Sequence, residues 1–287
     1  MDKFFLQPTK LNTSVLKFKV RTGQNDSSYI VKIDTSQQFQ PTFLTAQNEP
    51  APLYFHVKSV LFKGVNDKLL NGWWLTADEN MTKPTIIFFH GNGGSLFSQY
   101  PLITPLVRKG FNIFMFDYSG FGYSEGKAKQ KNAFKDGIAA INYVSDFLQN
   151  KTDNILIYGQ SFGGQLSLAC YLASNAKNIK GLVVEGTFTS NKAMGKHTAG
   201  GFGKMMTKEQ FNAKETVKKL QLPLLVIHSE DDEVIPFAMG KEIFENANSP
   251  KKFIGINGKH CYGLVLYSDT IVSEIDDLFY KIKITND

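Results

Sequence analysis

The 287-residue chain is 42% hydrophobic and 20% charged and carries a formal net charge of +6, a balance that fits a globular protein with enough apolar mass for a sizeable core. The positive excess is spread over scattered lysines, with Arg21 and Arg108 as the arginines, so bidentate phosphate and guanine contacts are scarce and no nucleic-acid partner is expected. Cys170 and Cys261 make neither a disulfide framework nor a metal site by count, no apolar run approaches the roughly 18 residues of a membrane span, and the start MDKFFLQPTK lacks the long apolar region of a signal peptide. The expectation is a cytoplasmic protein with no integral membrane segment, no metal and no cofactor.

Along residues 1–50, Leu16, Phe18 and Val20, and then Tyr29, Val31 and Ile33, alternate with polar residues on either side of GQNDSS, which predicts a β-hairpin. The stretch from there to NEPAP reads as a linker, so 1–50 is an N-terminal hairpin extension and 51–287 the main domain. Val57 to Phe62 and Leu69 to Leu75 predict two antiparallel strands turned by Asn66 and Asp67. Thr85 to Phe89 is a continuous β-branched and aromatic run, as in a central strand buried on both faces, and it leads into His90, Gly91, Asn92, Gly93 and Gly94.

A helix over Ser98 to Lys109, a strand over Asn112 to Phe116 and the loop DYSGFGYSEG follow. A long amphipathic helix over Lys131 to Phe147 precedes a strand at Ile155 to Tyr158, which ends in GQSFGG. Strands at Gly181 to Glu185, Pro223 to His228 and Lys252 to Ile256, with helices at Phe237 to Asn246 and Leu264 to Ile282, continue the alternation. Strand and helix alternating this regularly imply a mostly parallel sheet of about eight strands covered by helices on both faces. Ligands of such sheets bind beyond the carboxyl ends of the strands. Between two strands, residues 187–212 hold Met194, Phe202, Met205, Met206 and Phe211 around AGGFG, a composition that suits a small apolar lid with glycine hinges.

The pattern G-x-S-x-G at Gly159 to Gly163, between a strand and a helix, puts Ser161 at the tip of a sharp turn. A Cβ at Gly159 or Gly163 would collide with the neighbouring strand or helix. A serine hydroxyl needs a base, an orienting acid and donors for the oxyanion. Of the five histidines, His260 is the candidate base because it lies on the loop after the last strand. His228 closes an apolar strand and reads as a buried histidine with a local hydrogen bond. The candidate acids are Glu185 and, in HSEDDEVIP, Glu230, Asp231, Asp232 and Glu233. Asp232 gives the order Ser161, Asp232, His260 expected of this motif, but composition does not separate it from Asp231. The oxyanion donors are the N–H groups of Phe162 and Asn92.

The motifs HGNGG, DYSGFGYSEG, GQSFGG, HSEDDEVIP and GKH, in this order, resemble the α/β-hydrolase superfamily. More narrowly they are similar to its small-lid abhydrolase group, which includes bacterial esterases and eukaryotic protein depalmitoylases. The resemblance covers about residues 50–285. It implies the α/β-hydrolase fold and assigns the triad acid to Asp232, the nucleophile to Ser161, the base to His260 and the glycine-loop donor to Asn92. Ser119 and Ser229 depart from the group, which usually has an arginine and a glycine there. The implied activity is a serine hydrolase for a small-molecule carboxylic ester or thioester, with Gly93, Tyr118, Met194, Phe202, Met205 and Met206 as pocket and lid candidates. Two other readings are a serine aminopeptidase or amidase, in which Glu185 or Glu230 recognises a free amine, and a catalytically silent binding module on the same fold.

Overall fold

The computed structural model describes residues 2–22, 25–77, 84–148 and 154–281. The chain opens with a helical turn α1 (Asp2–Phe5) and a two-residue strand β1 (Gln7–Pro8). Strands β2 (Val15–Thr22), β3 (Asn25–Asp34) and β4 (Gln40–Thr45) then pair antiparallel in chain order. The predicted hairpin is β2 with β3, although Gly23 and Gln24 of its turn lie outside the described residues. β4 is a correction to the expected linker. Pro41 interrupts the strand pattern in the sequence, but on an edge strand its missing N–H removes no ladder bond. Phe43 and Leu44 beside it are buried.

The main sheet begins with β5 (His56–Lys63) and β6 (Leu69–Thr76), joined through Asn66 and Asp67 at φ 52° and 54°. Then come β7 (Thr85–Phe89), β8 (Gly93–Gly94), α2 (Leu96–Arg108), β9 (Asn112–Phe116), α3 (Gln130–Leu148), β10 (Ile155–Gln160) and α4 (Phe162–Ala173). The chain continues with β11 (Ile179–Glu185), α5 (Asn191–Met206), α6 (Ala213–Val217), β12 (Leu224–Ser229), α7 (Phe237–Asn246), β13 (Lys251–Ile256) and α8 (Gly263–Asp276). Eight strands form one sheet in the order β13-β12-β11-β10-β7-β9-β6-β5. β6 runs antiparallel to both neighbours and the remaining pairs are parallel.

The strand period of two explains why these segments read as unbroken apolar runs. Ile86, Phe88, Ile113, Met115, Leu156 and Tyr158 face α2 and α8, whereas Ile87, Phe89, Phe114, Phe116, Ile155 and Ile157 face the layer of α3, α4, α6 and α7. Both faces are dry, so the chain can accommodate polar chemistry only where strands end. The small N-terminal sheet extends the α2 side of the core, with Phe43 packed edge-on to Trp73 and Tyr100.

Residues 187–212 carry α5, whose helix breaks at Ala199 (φ −139°) and Gly200 (φ 60°). Met194 packs against the core, but Phe202, Met205 and Met206 stand 68%, 72% and 57% exposed. No helix among the described residues is long and apolar enough to cross a membrane.

Candidate active site

Ser161 separates β10 from α4 at φ 55°, ψ −121°. That conformation costs a non-glycine residue roughly 1–3 kcal/mol and persists only where the surroundings hold it. Here its N–H donates to the Glu185 carbonyl at 2.8 Å. The expectation for the flanking glycines holds: a Cβ on Gly159 would stand 2.5 Å from Gly164 Cα, and one on Gly163 would stand 2.1 Å from the Phe89 carbonyl oxygen. The turn can therefore be this tight only because those positions lack side chains.

Further along the rim, Asp232 lies on the loop after β12 and His260 on the loop after β13. His260 Nδ1 donates to Asp232 Oδ2 at 2.7 Å, with the Asp232 side chain 1% exposed. The other oxygen, Oδ1, accepts the N–H groups of Val234 and Ile235 at 2.9 and 2.8 Å. Burial pushes this carboxyl up, but the His260 bond and charge and the two backbone donors together hold it below the usual carboxylate range. Asp231 points elsewhere and accepts from Asn257 and Gly258. Composition could not separate the two aspartates; the direction of the side chains does.

His228 is buried, as its sequence position implied. Its Nε2 donates to the Ile235 carbonyl at 3.0 Å and lies 3.4 Å from Asp232 Oδ2. Burial lowers its pKa, so it stands beside the carboxyl as a neutral donor. Ser161 Oγ makes no hydrogen bond to His260 Nε2 in this structure; Nε2 instead meets the Cys261 thiol at 3.5 Å. Such bonds are often long in unliganded sites. Cys261 occupies that place because its backbone turns left-handed at φ 58°, and burial pushes its thiol up, so it stays protonated.

The glycine loop lies against Ser161, and a Cβ on Gly91 would be 3.6 Å from Ser161 Cβ. His90 is completely buried, its pKa pushed down to about 4 by desolvation, and its Nδ1–H donates to the Gly91 carbonyl at 2.8 Å. A trans peptide places N–H opposite C=O, so this bond turns the Asn92 N–H away from His90. The Phe162 N–H is in the first turn of α4, where helical donors have no intrahelical partner. Under the loop, the Tyr118 hydroxyl donates to the His90 carbonyl at 2.8 Å. Tyr118 is fully buried and supports the loop from below. Gly93 is paired with Gln7 in a two-residue parallel ladder.

A residue whose role the sequence did not reveal is Glu185. It is 2% exposed; its Oε2 accepts from Tyr158 Oη at 2.8 Å and Gln160 Nε2 at 2.7 Å, and its Oε1 from the Gly263 N–H at 2.7 Å. With both oxygens engaged inside the protein, it joins the strand that carries Ser161 to the loop that carries His260. A strand-end carboxyl followed by glycine is the sequence signal that could have marked it.

A family model for the alpha/beta hydrolase fold matches residues 84–206. The chain is 31% identical over 207 residues to the uncharacterized protein YfhR of Escherichia coli O157:H7, covering 71% of this chain and 73% of that protein. Among solved structures it is similar to the esterase Pf2001 of Pyrococcus furiosus, with a TM-score of 0.65 and 21% identity over 78% of this chain and 92% of that one. It is also similar to the acylaminoacyl peptidase of Pyrococcus horikoshii, with a TM-score of 0.59 and 16% identity, covering 88% and 48% of the two chains. At these identities the two solved structures speak for the fold.

Proposed function

The chain belongs to the α/β-hydrolase superfamily, and from that premise we propose that it is a serine hydrolase cleaving carboxylic esters or thioesters through an acyl-enzyme. Ser161 Oγ attacks the acyl carbonyl carbon while His260 Nε2 takes its proton. The N–H groups of Asn92 and Phe162 stabilise the oxyanion. The tetrahedral species collapses, the bond to the leaving alcohol or thiol breaks, and His260 returns the proton to that group. Water then attacks the acyl-serine with His260 again as base, releasing the carboxylic acid and restoring Ser161. Asp232 holds the Nδ1–H tautomer and stabilises the imidazolium that forms twice per cycle.

The observation that carries the reading is the 2.7 Å bond between His260 Nδ1 and a buried Asp232 oxygen, on two loops beside a serine in a left-handed turn. The acceptor side of the carboxyl is saturated by backbone donors, so the imidazole is held in one orientation. The amide reading draws less support. Of the two acids assigned to amine recognition, Glu185 is consumed by three internal donors.

Wild-type protein is expected to hydrolyse short p-nitrophenyl esters and to label with a fluorophosphonate, and Ser161→Ala to lose labelling and at least about 10³-fold of the hydrolysis rate. Wild-type protein that neither hydrolyses nor labels would sink the proposal. Faster turnover of amino-acyl nitroanilides than of acyl esters would move it to the amidase class.

A further inference from the structure

Residues 2–10 carry no readable periodicity, yet they lie on the site. β1 runs parallel to β8, with Gln7 opposite Gly93 and Pro8 opposite Gly94. The Gln7 N–H donates to the Asn92 carbonyl at 2.7 Å, and the Thr9 N–H to the Gly94 carbonyl at 2.9 Å. On its other edge the segment reaches the loop after β9: Gly122 N–H donates to the Thr9 carbonyl at 2.9 Å, and Leu11 N–H to the Gly122 carbonyl at 3.0 Å. The Lys10 ammonium donates to the Ser124 carbonyl. At the far end, Asp2 Oδ1 accepts the Gln130 N–H at 3.1 Å, at the start of α3. Between these anchors Phe5 and Leu6 are each 3% exposed. The Phe5 ring stacks on Phe188 at 6.1 Å, next to Thr187, whose hydroxyl lies 3.3 Å from the Ser161 carbonyl.

We propose that residues 2–10 form a strap that positions the oxyanion-donor loop, with the Gln7 N–H setting the orientation of the Asn92–Gly93 peptide. This rests on the serine-hydrolase reading for its catalytic consequence. His90 holds the peptide on one side of Asn92, between Gly91 and Asn92. The Gln7 bond holds the peptide on the other side. With both carbonyls tied, the two dihedral angles of Asn92 have little freedom, and its N–H stays aimed at one point. HGNGG alone has four peptides flanked by residues of wide conformational range. Tyr118 and Gln99 hold the carbonyls of His90 and Gly93, and the strap adds the restraint on the Asn92–Gly93 peptide itself; preorganised donors are what stabilise a developing oxyanion. Its residues act through Asn92, as positioning residues, and touch no reacting atom.

The test compares two variants at one position. Gln7→Pro removes the N–H and suits an extended strand that already precedes Pro8, while Gln7→Ala keeps the N–H and serves as the reference. Relative to Gln7→Ala, Gln7→Pro is expected to lose about tenfold in kcat on p-nitrophenyl acetate, less than the loss from deleting a donor outright. KM should move less than twofold, and amide hydrogen exchange across residues 90–95 should accelerate. Thr9→Pro, which removes the bond to Gly94, gives the same comparison if Gln7→Pro fails to fold by circular dichroism. Equal exchange in the two variants overturns the strap whatever the activity. Faster exchange with an unchanged kcat overturns its catalytic role. Exchange needs no turnover, so a wild-type protein inactive on esters would remove the hydrolase reading while the exchange comparison still decides the strap.

Discussion

On one side of Ser161 the groups proposed to handle protons are oriented through side-chain partners, with the Val234, Ile235 and Gly263 N–H groups completing the acceptors of Asp232 and Glu185. His260 is bonded to Asp232, Asp232 lies beside His228, and Glu185 gathers Tyr158, Gln160 and the Gly263 N–H. On the other side the carbonyls of the donor loop are shared between side chains and main chain: Tyr118 Oη, His90 Nδ1 and Gln99 Nε2 on those of His90, Gly91 and Gly93, and the Gln7 and Thr9 N–H groups on those of Asn92 and Gly94. The difference follows from what each side must do. Proton transfer needs particular chemical groups, and orienting a carboxyl and an imidazole needs particular partners. An oxyanion needs only N–H groups at the right place, which any backbone supplies once its dihedral angles are restrained. The acid–base side should therefore be sensitive chiefly to conservative side-chain changes, and the donor side in addition to changes that remove a backbone donor.

The largest effect that would test this contrast is at Asp232. Asp232→Asn keeps the shape but presents an amide N–H₂ or a weak acceptor to His260 Nδ1, which favours the wrong tautomer. Loss of about 10³–10⁴-fold in kcat on p-nitrophenyl esters is expected, with the fold intact by circular dichroism. A loss under tenfold would break the assignment of this carboxyl as the orienting acid. A smaller effect is expected at Glu185. In Glu185→Gln the side-chain N–H₂ meets one of three donors and leaves it unpartnered in the interior, which costs about 1–3 kcal/mol in urea unfolding. Fluorophosphonate labelling should slow with it, because the same carboxyl ties the Ser161 strand to the His260 loop.

An effect of comparable size tests the donor side through pH. Burial holds His90 at about 4, below its ordinary value of 6.5. The unfolded chain therefore binds an extra proton as pH falls through that window, so the contribution of His90 is complete above pH 6.5 and is lost as pH falls toward 4. Comparing pH 7 with pH 5 by urea unfolding, wild-type protein should lose about 2 kcal/mol more than His90→Asn, which does not titrate there. Equal losses would mean that this histidine is not the neutral clamp of the donor loop.

The legibility of the molecule divides along the same line. All eight strands of the main sheet were readable: the six inner ones because burial on both faces demands nearly continuous apolar runs, and the half-exposed edge strands β5 and β13 because their apolar residues are bounded by turn residues such as glycine, asparagine and proline. Ser161, Asp232 and His260 were readable as residue types at strand ends. β4 was not readable, because Pro41 reads as a breaker until the strand is known to be an edge. The exposure of Phe202, Met205 and Met206 was not readable either, because methionine and phenylalanine look the same in a sequence whether they cover a site or face solvent.

By itself, then, the sequence determined the alternation of elements, the sharp turn at Ser161 and the chemical inventory of the rim, since these depend on hydrophobic period, missing side chains and functional groups. Tertiary structure decided which aspartate meets His260, what Glu185 holds together and where residues 2–10 lie. Those outcomes depend on the direction of a side chain or on a hydrogen bond between backbone groups that every residue possesses. Gln7 donates to Asn92 through an N–H that carries no mark of residue type, and only the folded chain brings the two within 2.7 Å.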